Sequence, residues 1–191
     1  MGLRRLLGRM CRAVVRWQER NVEQESIVMW RSLDDLPPLQ LPPFVEIVTM
    51  DQHYREEDLL DIHNEACAGT KGFRKAGRVQ LEAFKASPLH DPKGVFIARI
   101  EGVAVGYCFA RYTEGGIGKI TGLAVLSGYR QRGIGRALLL SGLWYLRGRG
   151  ADKARLLADQ EDPAMVLYEG LGFRAEEPRR RNTAHTLVRR A

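Results

Sequence analysis

The 191-residue sequence is poor in the residues that build cross-links and metal centres. Its three cysteines, Cys11, Cys67 and Cys108, are odd in number, far apart and never in a C-x-x-C pair. A disulfide framework and a paired-thiolate zinc site are therefore not expected, and a reducing, cytoplasmic setting fits best. The four histidines, His53, His63, His90 and His185, show no ligand spacing, so no metal is expected either. No run of about 18 apolar residues occurs, which excludes a spanning helix. What is present is ample core material: 45% apolar against 28% charged residues excludes wholesale disorder and suits one ordinary domain with an extension.

The formal charge is +7, but it is concentrated at the ends. Residues 1–20 hold six Arg and one Glu, residues 174–191 hold six Arg and two Glu, and the long middle carries a balance of −2. A nucleic-acid-binding domain shows its basic face on the fold itself, so this charge map argues against nucleic acid as the main partner.

The first 18 residues contain no acid, and Leu3, Leu6, Leu7, Met10, Val14 and Trp17 recur at helical spacing between arginines. Residues 1–25 are thus predicted to form a basic amphipathic helix. It would contact a membrane surface, or pack its apolar stripe on the domain or on a second copy of the chain in a homo-oligomer. Residues 34–43 hold four of the eight prolines and read as a semi-rigid connector. The expected division is therefore 1–43, helix and connector, and 44–191, the main domain.

From Phe44 the pattern predicts strands at 45–49, 95–100, 103–112, 119–125, 154–158, 173–176 and 186–189. Helices are predicted at 56–68, 78–85, 132–149 and 163–171. Strands and helices alternate without strict β-α-β repetition, the mark of an α/β (α+β) fold with a mixed sheet and helices on both faces.

Between a predicted strand and the longest predicted helix lies Arg130-Gln131-Arg132-Gly133-Ile134-Gly135-Arg136. Three cations at a helix start oppose the positive end of the helix dipole, and an anion would resolve the conflict. Gly133 and Gly135 clear side chains from free backbone N–H groups, so a phosphate can approach the main chain. The stretch is not a Walker A loop, because Gly118-Lys119 is followed by Ile120 before Thr121. Nor is it a dinucleotide fingerprint, because Leu138 stands where the third Gly or Ala belongs.

Arg130-x-x-Gly133-x-Gly135, preceded by Leu123-Ala124-Val125 and followed by Leu167-Tyr168-Glu169-Gly170-Leu171-Gly172-Phe173, resembles the signature of the GCN5-related N-acetyltransferases. The resemblance covers roughly residues 44–191, and Gly142 to Phe173 is also similar to the C-terminal half of the mycothiol synthases. It implies a mostly antiparallel GNAT-like sheet and an acyltransferase that uses acetyl-CoA as cosubstrate. The acyl acceptor would be a small-molecule or peptide amine that attacks directly in a ternary complex.

The resemblance also assigns residues. Pyrophosphate would lie on the backbone from Gln131 to Arg136, with the arginine side chains nearby and a further contact at Asp162. Pantetheine would add as a pseudo-strand along Leu123, Ala124 and Val125, where the family's sheet splays open, and a backbone N–H at Leu123 or Ala124 would stabilise the oxyanion. Tyr168 matches the family tyrosine that protonates the departing thiolate. The helix bearing it is expected to start with Asp162 as N-cap and Pro163 as its first residue.

The strand at 119–125 carries no carboxylate, so the candidates for general base are Asp159 and Glu161 beside the next strand, and Glu65 at the end of the first helix. A ping-pong route through cysteine is not expected, because no Cys lies near the Leu123 strand or Tyr168. The acceptor would enter between residues 67–78 and the turn at 177–182; these Lys- and Arg-rich segments suggest an anionic group beside its amine. The alternative reading is a non-catalytic CoA-binding or membrane-docking module on the same fold.

Overall fold

The computed structural model describes residues 26–52, 55–70, 73–113, 115–159 and 161–176, with the side chain of Glu56 left out. The helix expected over residues 1–25 and the strand expected at 186–189 lie outside the described residues.

Among the described residues seven strands form one sheet: β1 (Ile27–Ser32), β2 (Val45–Thr49), β3 (Val95–Ile100), β4 (Val103–Thr113), β5 (Ile117–Val125), β6 (Lys153–Ala158) and β7 (Arg174–Ala175). Their order is β2-β3-β4-β5-β6-β1-β7. Every pairing is antiparallel except β5 with β6. Among the described residues there are four α-helices: α1 (Glu56–Ala66), α2 (Arg78–Lys85), α3 (Ile134–Gly148) and α4 (Met165–Gly170). The mixed α/β sheet expected from the pattern, and the mostly antiparallel order implied by the resemblance, are the ones observed.

Helices cover both faces, and the strand sequences show why. The residues Val95-Phe96-Ile97-Ala98 of β3 are all buried, because alternate side chains enter two different cores. Phe96 and Ala98 join Leu138, Leu139, Leu140, Leu143 and Leu146 of α3 and Tyr168 of α4. Val95 and Ile97 join Leu59 and Ile62 of α1 and Leu81 of α2. Those five leucines are at most 1% exposed, and burying each stabilises the fold by about 1.5–3 kcal/mol. Close approach is possible because Gly142 presents no side chain: a Cβ there would lie 3.1 Å from Cys108 Sγ on the sheet.

Residues 27–32, for which the sequence predicted no strand, form β1, while residues 34–43, expected to be connector, carry no strand. β1 lies inside the sheet, paired with β6 from Ile27↔Ala158 to Ser32↔Lys153 and with β7 at Met29↔Ala175. Met29 and Arg31 both face inward. Arg31 is tolerated there because its guanidinium donates to the Asp35 carboxylate at 2.6 Å and to the Asp35 carbonyl at 3.0 Å. The same guanidinium holds the Asp35 carboxyl below the usual range. Met29→Ala is expected to cost about 2–5 kcal/mol in urea unfolding, the penalty of a core cavity. A residue in a solvated connector would cost almost nothing.

Candidate active site

β5 and β6 pair only at Ile117↔Lys153, Gly118↔Ala154 and Lys119↔Arg155. Beyond Lys119 the strands part, so the rest of β5 has β4 on one side and an open edge on the other. A bulge at Thr121, skipped between Phe109↔Gly122 and Ala110↔Ile120, lies where the strands separate.

Which backbone groups face the opening follows from the ladder. Leu126 N–H donates to Val105 O, and the Ala124 carbonyl lies against Gly106, so both residues address β4. Backbone groups alternate along a strand, hence the N–H groups of Leu123 and Val125 face the open edge. Of the two residues expected to offer an oxyanion donor, Leu123 has its N–H on the open edge and Ala124 has its own turned toward β4.

The open edge runs into the start of α3. Gly133 is the N-cap at φ +77°, a left-handed conformation that an L side chain strains to adopt, and no side chain caps the helix. Gln131 is also left-handed, at φ +62°. The N–H groups of Ile134, Gly135 and Arg136 belong to the first helical turn and have no intrahelical acceptor. Ile134 itself is buried in the core, which fixes the platform. The start of this uncapped 15-residue helix offers free N–H groups of the kind that bind anions.

The three arginines behave differently from the expected cluster of phosphate ligands. Arg130 Nε donates to Val125 O at 2.9 Å, and its other nitrogen donates to Ala66 O, also at 2.9 Å, at the C-terminus of α1. Its charge is thus met by carbonyls, including the negative end of a helix. Arg132 lies over the Tyr129 ring at 5.5 Å, and Arg136 is exposed at the helix start.

Tyr168 on α4 is buried and packs edge-on against Phe173 at 6.2 Å. Burial, then the charges of Asp162 and Cys108, push its ionisation above the ordinary phenol range, so it keeps its proton at neutral pH. Cys108 is the cross-strand partner of Leu123, and Tyr168, Cys108 and Leu123 pack in the same core. Among the described residues its hydroxyl has no hydrogen-bond partner.

The start of α4 differs from expectation. Met165 N–H donates to Asp162 O and the Asp162 side chain accepts from Ala164 N–H at 2.8 Å. This tight turn precedes the helix, so the N-cap is Ala164, not Asp162, and Pro163 lies in the turn rather than in the first helical position. Of the carboxylates considered as bases, Asp159 is half-buried and accepts from Glu161 N–H at 3.2 Å, while Glu161 and Glu65 are exposed. No contact brings any of the three to Leu123 or Tyr168.

Sequence reasoning missed a cluster beside this edge. His63 Nδ1 lies 3.1 Å from the Tyr107 hydroxyl, Cys67 Sγ lies 3.9 Å from the same oxygen, and His63 Nε2 lies 3.3 Å from Arg74 O. Tyr107 is the cross-strand partner of Ala124. Two cysteines are therefore near the Leu123 strand, contrary to the sequence expectation. Cys108 is inert, since complete burial pushes its thiol up to about 12. Cys67 is half-buried, and His63 draws its thiol below the ordinary range. The available signal was the spacing of His63 and Cys67, which puts both on one helix face.

Among the described residues no helix is long and apolar enough to cross a membrane, and no group of three potential ligands could hold a metal ion.

Residues 51–173 match the family model described as "Acetyltransferase (GNAT) family". Among solved structures, the GCN5-related N-acetyltransferase of Sphaerobacter thermophilus is 26% identical, with a TM-score of 0.64 over 83% of this chain and 53% of that one. The GCN5-related N-acetyltransferase of Kribbella flavida is 18% identical, with a TM-score of 0.57 over 78% of this chain and 54% of that one. The ribosomal-protein-S18-alanine N-acetyltransferase of Escherichia coli shares the fold, at 20% identity and a TM-score of 0.56 over 68% of this chain and 77% of that one. The chain spans little more than half the length of the first two. Comparison with curated proteins gave no match. The narrower resemblance to mycothiol synthase is not shown.

Proposed function

Because this chain belongs to the acetyltransferase (GNAT) family, we propose that it is an acetyl-CoA-dependent N-acetyltransferase acting on a primary amine by direct attack in a ternary complex. The observation that carries this reading is the open edge of β5 running into the uncapped start of α3. Acetyl-CoA supplies the activated acyl group as a thioester. The N–H groups of Ile134, Gly135 and Arg136 hold its pyrophosphate, and the free edge at Leu123 and Val125 accepts the amide chain of pantetheine.

The Leu123 N–H is fixed by the strand before the reaction begins, so it can stabilise negative charge on the acyl oxygen without reorganising. Tyr168, protonated and without another partner among the described residues, donates to the leaving thiolate. Asp159, Glu161 and Glu65 have no contact that favours one as base, and a water between amine and carboxylate serves equally.

Thermal shift with acetyl-CoA, CoA, ATP and NAD tests the ligand. Saturation at about 100 times the dissociation constant adds roughly 2.7 kcal/mol. Stabilisation by acetyl-CoA and CoA alone is expected; stabilisation by ATP or NAD alone sinks the proposal. Free-thiol release over a panel of amines then separates a transferase from a module that only binds CoA or docks on membranes.

A further inference from the structure

We propose that Cys67 is a second acyl acceptor, a thiol that takes acetyl from acetyl-CoA through a proton wire formed by Tyr107 and His63. The inference rests on the transferase reading and deepens it.

Donor and acceptor accounting builds the wire. Arg74 O can only accept, so His63 Nε2 carries a proton and donates to it at 3.3 Å. In the neutral ring Nδ1 is then an acceptor, and the Tyr107 hydroxyl donates to it at 3.1 Å. The lone pairs of that hydroxyl remain for the Cys67 S–H, at 3.9 Å. A proton can therefore leave sulfur, pass through the Tyr107 oxygen and arrive on His63 Nδ1. This is the arrangement of a nucleophile, a base within reach and a third group that orients the base. The shifts agree in direction: Cys67 is lowered chiefly by His63, and His63 is raised chiefly by Cys67.

The thiol packs on the face of the sheet opposite Tyr168, and hydrogen bonds through Arg130 tie its neighbour to the open edge. It follows Ala66, whose carbonyl is tied to Arg130, and Arg130 is tied to Val125 on the open edge. Tyr107 faces Ala124 across the β4–β5 ladder. In the step itself the Cys67 sulfur bonds to the acyl carbon as the bond from that carbon to the CoA sulfur breaks. The Cys67 proton ends on His63, and the CoA thiolate takes a proton from Tyr168. Thioester is exchanged for thioester with no change of oxidation state, so free CoA reverses the step. An amine, by contrast, draws the acyl group off as an amide.

The full chain incubated with acetyl-CoA and no amine, then digested and mapped by mass spectrometry, tests this. One acetyl group labile to neutral hydroxylamine is expected on Cys67 and none on Cys108. Cys67→Ser should lose the label yet keep its thermal stabilisation by acetyl-CoA. His63→Gln and Tyr107→Phe should each slow labelling on the order of a hundredfold. Stabilisation by acetyl-CoA with Cys67 unlabelled overturns the inference and leaves the transferase reading standing, as does labelling that neither variant slows. Absence of any stabilisation overturns both.

Discussion

Leu123→Pro is expected to lower kcat for amine acetylation about a hundred- to a thousandfold, the usual loss when one preorganised oxyanion donor is removed. Proline deletes the Leu123 N–H, and the ladder assigns that N–H to the open edge rather than to β4. No β4 hydrogen bond is lost, and proline is tolerated where its missing donor faces away from the sheet. The companion Ala124→Pro deletes a donor that faces β4 and should destabilise the sheet instead. Stopped-flow or steady-state thiol release, paired with melting temperatures, separates the two. If Leu123→Pro melts normally and turns over like the parent protein, the oxyanion is held elsewhere.

Tyr168→Phe should lower kcat by at least about a hundredfold, within the range for loss of a positioned general acid. Stability should hardly change, because the hydroxyl bonds to nothing among the described residues while the ring keeps its contact with Phe173. Unaltered KM with reduced kcat would place the loss in the transition state. The effect should shrink with an acyl donor whose leaving thiol is more acidic, since such a group departs without a proton. A variant with parental kcat and parental melting temperature would reduce Tyr168 to packing.

The elements that positioned this site were readable wherever periodicity met clean punctuation. α2 and β2 occupy the residues their patterns predict, as does β3, whose continuous apolar run is the trace of two cores. β1 escaped because its inward face reads Met29 then Arg31, and an arginine at a core position breaks the alternation that announces a strand. Only the fold supplies Asp35 in the geometry that makes Arg31 acceptable there. The uncapped glycine start of α3 was legible from sequence. The partners of Arg130 were not, since Ala66 is 64 positions away. The His63, Tyr107 and Cys67 cluster was hidden for the same reason: His63 and Cys67 lie on and just after α1, and Tyr107 lies on β4.

The place of β1 between β6 and β7 also sets an order of events during synthesis. Among the described residues, the first strand has as its neighbours only the last two, with Ile27 waiting for Ala158 and Met29 for Ala175. Until then β2 to β5 can form their local antiparallel ladders, while an early segment stays without its hydrogen-bonding partners. Contacts this distant in sequence close slowly. An unpaired strand edge invites the wrong pairing in the meantime. Translation speed and chaperone access while residues 153–175 are made should therefore weigh on the yield of folded protein.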